Sequence, residues 1–448
     1  MTGRPRRPGS ARRLVAVTAF VASLLVTLTV GVARSLPAKV AECASDNKIT
    51  LATGSDVSAG SFRRDLIQQW NRRPNVVPAE LVEIADYTDK ERAEMAASAQ
   101  SGSCRYDIYV VDVAWTAEFA ANGYLQEIPA KILESVGPFL PNMLETGRFD
   151  GRQYAVPFAA DAPLLYRRRD LPLPGTPQRL AELGRRHGYT GQFADYEGGS
   201  VNLQETILSY GAKIVEGDEV VLDRPGNREK ALSALTAWNT VLNDLGSPTD
   251  LREESSLQAF RKRPGYMRNW PFAFPRLIMD PSMRDDEGPI FTVSPLPGVG
   301  VLGGFNLAVA ARSPDPTAAH DLIRFLVSAE SQRDLLACGG YLPVLPAVYD
   351  AYRADPRCGR PEAATDPDLE IPREALQEFA DAIAVAVRNT VPRPRAAHYI
   401  TFSEVFRSCA HQVVSGALPP QELDFDRYGE ALREAMAGRR TAKDMCRG

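Results

Sequence analysis

The sequence predicts an α/β fold, and three observations carry that reading. Strand-like apolar runs alternate with amphipathic helical stretches from Lys48 onward, the pattern of layered strands and helices. YDIYVVDV at Tyr106–Val113 is nearly unbroken in apolar content, as expected of a parallel strand covered on both faces. The hydrophobic fraction of 44 % and charged fraction of 24 % are those of a soluble globular body, and 448 residues exceed one ordinary domain.

The elements follow in order. KITLATG (Lys48–Gly54) is a short apolar run ending at glycine, read as a buried strand. Phe62, Leu66, Ile67 and Trp70 then share one face of a helix. Val77–Ile84 alternates as a second strand, and Thr88-Asp89-Lys90-Glu91 has the form of a capping box opening the next helix. Strand Tyr106–Val113 and a helix to Gly123 complete the unit. YAVPFAADAPLLYRRRDL (Tyr154–Leu171) has two strand-like halves around a polar centre at Asp161. Glu229–Gly246 reads as an amphipathic helix ended by glycine, and GYMRNWPFAF (Gly265–Phe274) as an aromatic loop. Phe291–Gly298 and Gly303–Ala311 read as strands, Pro316–Leu336 as two helices or one broken helix, and the chain beyond Pro372 as mainly helical. Trp70 and Trp238 sit at core spacing on their helices.

The N-terminus differs. Residues 1–13 carry five arginines and no acid, and Leu14–Ala33 is uncharged. About 20 such residues span a bilayer as a helix. Basic residues before them place the N-terminus inside and the body outside. Residues 14–33 are therefore a transmembrane anchor or a signal peptide, and 34–46 a linker. Both place the body at the cell surface, on the extracellular face of the plasma membrane, anchored or exported. Six cysteines without a CxxC pair suit that compartment as disulfides rather than zinc ligands. Cys43 precedes the first strand and Cys104 the third, so parallel neighbouring strands would bring them together; six cysteines allow 15 connectivities, and Cys338 with Cys358 and Cys409 with Cys446 is one way to complete the set.

Net charge of -4 and a pI near 5.8 argue against nucleic acid as a partner. There is no nucleophile elbow, HExxH or phosphate loop, and His187, His320, His398 and His411 are isolated. Neither an enzyme, a cofactor nor a metal site is expected; a secreted glycosidase, needing only two suitably spaced carboxylates, is the enzyme that would remain.

YDIYVVDVAW…AANGYLQEIP, GRFDGRQYAVPFAADAPLLYRRRDL, GAKIVEGDEVVLDRP through YMRNWPF, PLPG, GGFNLAV, AAHDLIRFLVSAESQ and GGYLPVLPAVY occur in this order. Together they resemble the family 1 extracellular solute-binding proteins, sugar-binding subunits of ABC importers, over roughly residues 47–440. The resemblance implies a two-lobed periplasmic-binding-protein-like fold with three inter-lobe crossings and a central cleft. It places lobe one at 47–158 and 292–327, and lobe two at 159–291 and 328–448. It implies a monomer that captures a small polar ligand, a mono- or oligosaccharide, and hands it to ABC importer permease subunits. A membrane-tethered sensor or scaffold on the same fold is the alternative. One departure stands out: many members follow the Leu-Pro pair of the last loop with Thr-Arg, whereas Leu342-Pro343 precedes Val344 and Leu345.

A sugar presents a C–H face to aromatic rings and hydroxyls to carboxylates, amides and guanidinium groups. Trp270 in NWPF is the first candidate, since the family commonly uses this tryptophan as a platform; the other reading is a buried loop anchor. Asp112 ends a strand and Trp115 follows it, where a strand's C-terminal end opens onto a crevice; a helix-capping, core role is open for Trp115. Asp161, at the first crossing, faces either ligand or a hinge arginine, Arg167 or Arg168. Gly303 and Gly304 begin a strand where backbone approaches something closely or forms a bulge. Tyr341 matches a loop near the cleft, with a core role open.

Overall fold

Among the described residues, nine strands form the two larger sheets. In chain order they are β1 (Ile49–Thr53), β2 (Ala79–Glu83), β3 (Ile108–Asp112), β4 (Val156–Asp161), β5 (Leu164–Arg168), β6 (Tyr189–Thr190), β7 (Tyr266–Asn269), β8 (Phe291–Pro295) and β9 (Gly303–Val309). The first sheet has the order β2-β1-β3-β9-β4 and the second β8-β5-β7-β6. The structure is a computed structural model describing residues 43–448 except 59–60, 86, 245–246, 264, 359–370, 440, 442–443 and 448. The basic tail and the apolar segment 14–33 thus lie outside the described residues. Among the described residues no helix is long and apolar enough to cross a membrane.

The expectation of parallel layers holds for one side of the first sheet. β1 pairs in parallel with β2 and with β3, but β9 runs antiparallel to both β3 and β4. The second sheet is also mixed, β5 being antiparallel to β7 and β8 while β7 is parallel to β6. The antiparallel pairs arise because the chain changes sheets. It leaves the first sheet at Asp161, enters the second at Leu164, and returns between Pro295 and Gly303. The polar centre of Tyr154–Leu171 is this turnover point. The boundary expected at 327/328 falls between helices Pro316–Leu326 and Ala329–Gly339, both of which pack on helix Phe62–Asn71 beside the first sheet.

Local expectations meet their physical test in burial. Phe62, Leu66, Ile67 and Trp70 are all buried on one helix face, and Trp238 is buried between Tyr189 and Phe193. The segment read as an aromatic loop is a correction: Tyr266–Asn269 is β7, paired along its length with β5, and Ala273–Ile278 is a helix. Only Trp270–Phe272 turns between them. Arg268 disguised the strand, being fully buried where a charge is rare. The capping box is also corrected. The helix starts at Thr88 after Tyr87, with no side-chain cap; Glu91 instead accepts the Gly54 N–H of another element at 2.7 Å.

Disulfides join Cys338 to Cys358 and Cys409 to Cys446. Cys43 and Cys104 are both disulfide-bonded as well.

Candidate binding site

The strand ends at the sheet change surround a cavity of about 380 Å3. Asp112 ends β3, Asp161 ends β4, and Gly303 and Gly304 start β9, so these three adjacent strands supply one wall. The turn after β7 supplies Trp270, and the loop after helix Ala329–Gly339 supplies Tyr341. The structure therefore brings together every predicted site residue except Trp115. That side chain is 0 % exposed, packs in the apolar core, and does not line the cavity. Its backbone opens the short helix Thr116–Ala121, which turns the ring inward under the strand end.

Trp270 is held from below. The Arg268 guanidinium carbon lies 3.8 Å from the indole centroid. Arg268 is in turn clamped by Glu205 through two hydrogen bonds, at 2.8 and 2.6 Å, and by Gln192 at 2.9 Å. This fully buried ion pair orients the platform. Gly303 meets the ring from the side: a Cβ there would stand 3.1 Å from both the indole and the Asp161 Cβ. Gly304 has φ +122°, and its Cβ would come within 2.2 Å of the Ala159 carbonyl oxygen. Close approach therefore requires glycine at 304 and leaves only tight space at 303, and the register shift expected as an alternative lies one step on, between Phe305 and Asn306.

Asp161 makes no ion pair with a hinge arginine. Arg168 pairs with Asp170, and Arg167 donates to the carbonyls of Arg169 and Leu171. Among the described residues no donor hydrogen-bonds the Asp161 carboxylate. Burial, then the charge of Asp112, push its carboxyl up to about 7 against the pull of Arg268 and Arg63. Glu91 is likewise raised to about 7 by burial, which Arg63 and the Gly54 N–H only partly offset.

Several lining residues were missed in the sequence. Arg63 is buried, lies 5.6 Å from the Phe305 centroid and 5.5 Å from that of Tyr341, and ion-pairs with Asp56, which also accepts the Tyr341 hydroxyl at 3.2 Å. Arg252 covers the ring of Tyr87 at 4.4 Å. Most consequential is Arg393. It donates to Asp112 Oδ1 at 2.5 Å and to Glu197 Oε1 at 2.7 Å. Glu197 also accepts from the Tyr399 hydroxyl at 2.7 Å and the Ser403 hydroxyl at 2.5 Å. Glu197 opens helix Glu197–Ser209, whose Glu205 holds Arg268 on β7 of the second sheet. Arg393 therefore ties the end of β3 to an element anchored in the other sheet. A signal existed: Arg393 is flanked by Pro392 and Pro394, which fixes an extended backbone. The burial of Asp112 pushes its carboxyl up, and Arg393 restrains that shift.

A charged, aromatic-sided pocket at strand ends, where the chain changes sheets, is the arrangement of a protein that binds small ligands. Residues 76–369, more than half of the chain, match the family of bacterial extracellular solute-binding proteins, and the chain belongs to that family. A probable ABC transporter-binding protein of Deinococcus radiodurans is 26 % identical over 311 residues, covering 62 % of this chain and 72 % of that protein. The maltose-bound structure of T. maritima MalE3 is similar at a TM-score of 0.70 and 25 % identity, over 87 % of this chain and 99 % of that one. The GacH receptor of Streptomyces glaucescens, solved unliganded and with acarbose, has the same fold at a TM-score of 0.70, 20 % identity, and 88 % and 99 % coverage. Such folds are two-lobed.

Proposed function

We propose that this protein captures a mono- or oligosaccharide in the cavity beside Trp270 and delivers it to an ABC importer at the cell surface. The observation that carries the reading is the Trp270 indole. It is half-buried, fixed on Arg268, and lines a cavity that also presents six carboxylates and three guanidinium groups among aromatic, apolar and small residues. A flat ring takes the C–H face of a sugar, and the surrounding charges take its hydroxyls. At about 380 Å3 the cavity is at the small end of ligand sites, which suits a short saccharide rather than a polymer. The Deinococcus relative's name supports the importer partner, and the maltose bound by the T. maritima protein supports the ligand class. The reading assigns binding, not catalysis, to the carboxylates. The two sheets are the cores of two lobes that close on the ligand, Arg393 spanning them.

The test is a thermal-shift screen of the full-length protein, in a detergent without a sugar head group, against saccharides, polyols, amino acids and oligopeptides. A ligand at about 100 times its Kd stabilises by roughly 2.7 kcal/mol. A shift with one saccharide class supports the reading; a shift confined to amino acids or peptides discards the sugar. Trp270→Ala should lose about 1–2 kcal/mol of affinity, roughly 5- to 30-fold, and an unchanged Kd would remove the platform role.

A further inference from the structure

The saccharide reading leaves the charge of the cavity unexplained. Six carboxylates line it, against three guanidinium groups. Arg63 is already paired with Asp56, which lies outside the lining, so it offsets little else. Arg393 alone serves both Asp112 and Glu197. Arg252 is stacked on Tyr87 and has no carboxylate partner among the described residues. Glu254 is matched by Arg276. Asp161, Glu91 and Glu253 then remain without a salt-bridging cation of their own among the described residues. Glu91 is only 5 % exposed, one oxygen accepts the Gly54 N–H, and no hydrogen-bond donor among the described residues reaches the other. Asp161 shares Gly303 with the Trp270 ring, so an uncompensated carboxylate stands at the edge of the aromatic platform. Neutral hydroxyls hydrogen-bond carboxylates but bring no charge, and a buried surplus of negative charge is costly until a cation enters.

We infer that the ligand is a cationic saccharide, one bearing an amino group, whose ammonium sits on Asp161 against the edge of Trp270. This rests on the saccharide reading and names the class of sugar. A carboxylate offers an ammonium an ion pair with charge-assisted hydrogen bonds, while the rim of the indole packs beside it. The groups facing that ammonium are Asp161, Asp112 and Glu253 on the acidic side, with Arg63 and Arg268 opposing. Arg63, Arg268 and Asp112 are committed to Asp56, Glu205 and Arg393, which leaves Asp161 and Glu253 as the unmatched charges facing it.

The experiment compares matched probes by calorimetry at pH 7 on the full-length protein. The pairs are glucosamine with glucose, galactosamine with galactose, and the glucosamine disaccharide with cellobiose. A hydrogen bond to a charged group is worth enough for roughly tenfold or more in affinity, so the amino member of at least one pair should bind at least about tenfold tighter. An N-methylated amino sugar, still charged, should keep that advantage, and the N-acetylated one should lose it. Asp161→Asn should collapse the amino-to-hydroxyl ratio toward about one. Equal or weaker binding of every amino member overturns the proposal, and the saccharide reading survives if the hydroxyl members bind. If no member of any pair binds, the proposal falls together with that reading for these sugars. A ratio that persists in Asp161→Asn removes Asp161 as its source, as does N-acetyl binding equal to N-methyl.

Discussion

Replacing Arg393 with methionine tests the bridge between the two sheets. Its side chain is 2 % exposed, and its partners Asp112 and Glu197 are 13 % and 3 % exposed. Methionine keeps length and apolar volume but strands both carboxylates. Removing one partner of a buried ion pair costs about 3–5 kcal/mol because the remaining charge is left uncompensated. The pH dependence then has a definite sign. Burial already raises Asp112, and the charge of Glu197 raises it further once Arg393 no longer pulls it down. A carboxylate whose folded pKa lies above its unfolded one weakens the fold at high pH, and that loss is relieved as pH falls through the folded value. The deficit should therefore be largest near pH 8 and shrink toward pH 5, by up to about 1.4 kcal/mol per pH unit for each group that protonates. Urea unfolding of wild type and Arg393→Met at pH 8, 6.5 and 5 measures it. Adding Asp112→Asn should restore part of the loss, because the second change removes a stranded charge. A deficit below about 1 kcal/mol at pH 8, or one that grows toward pH 5, would refute the bridge as described.

Three further outcomes are expected. Asp161 and Glu91 are raised to about 7, well above the ordinary carboxylate range; unliganded stability should thus fall as pH rises from about 4 to about 7 and then level, and Asp161→Asn with Glu91→Gln should flatten that slope in urea titrations. Gly304→Ala forces a Cβ into the Ala159 carbonyl at φ +122° and should cost about 1–3 kcal/mol, read as a lowered Tm; an unchanged Tm would contradict the close β4–β9 approach. Replacing Cys338 and Cys358 by serine opens a bridge spanning 20 residues and should cost about 3 kcal/mol by the loop-entropy relation, measured by urea unfolding under non-reducing conditions against the oxidised wild type.

Sequence reasoning located most strands because apolar alternation is local and survives without neighbours. β1, β3, β4 and β9 were legible in this way, and so were the residues at their ends, Asp112, Asp161, Gly303 and Gly304. It failed where a charge is buried for a distant reason. Arg268 made a strand look like a loop, because the Glu205 that neutralises it is 63 positions away. Thr88–Glu91 looked like a cap because the Gly54 N–H that claims Glu91 is equally non-local, 37 positions back. Trp115 illustrates the opposite limit. The sequence fixes its place after a strand end but not which way the ring turns, and helix Thr116–Ala121 turns it into the core. Arg63 and Glu197 were invisible because no local pattern distinguishes a bridging charge from a solvated one, and the prolines flanking Arg393 mark an extended backbone without naming its partners.

The bridge at Arg393 also bears on how the molecule is made. Its two bonds span 281 and 196 residues, and contacts of such separation close slowly and late. Until the segment carrying Arg393 has arrived, Asp112 at the end of β3 and Glu197 at the start of its helix lack the guanidinium that joins them. The pocket is consequently a product of the complete chain and not of either sheet alone. A molecule that holds ligand has, by that fact, already folded its C-terminal helices.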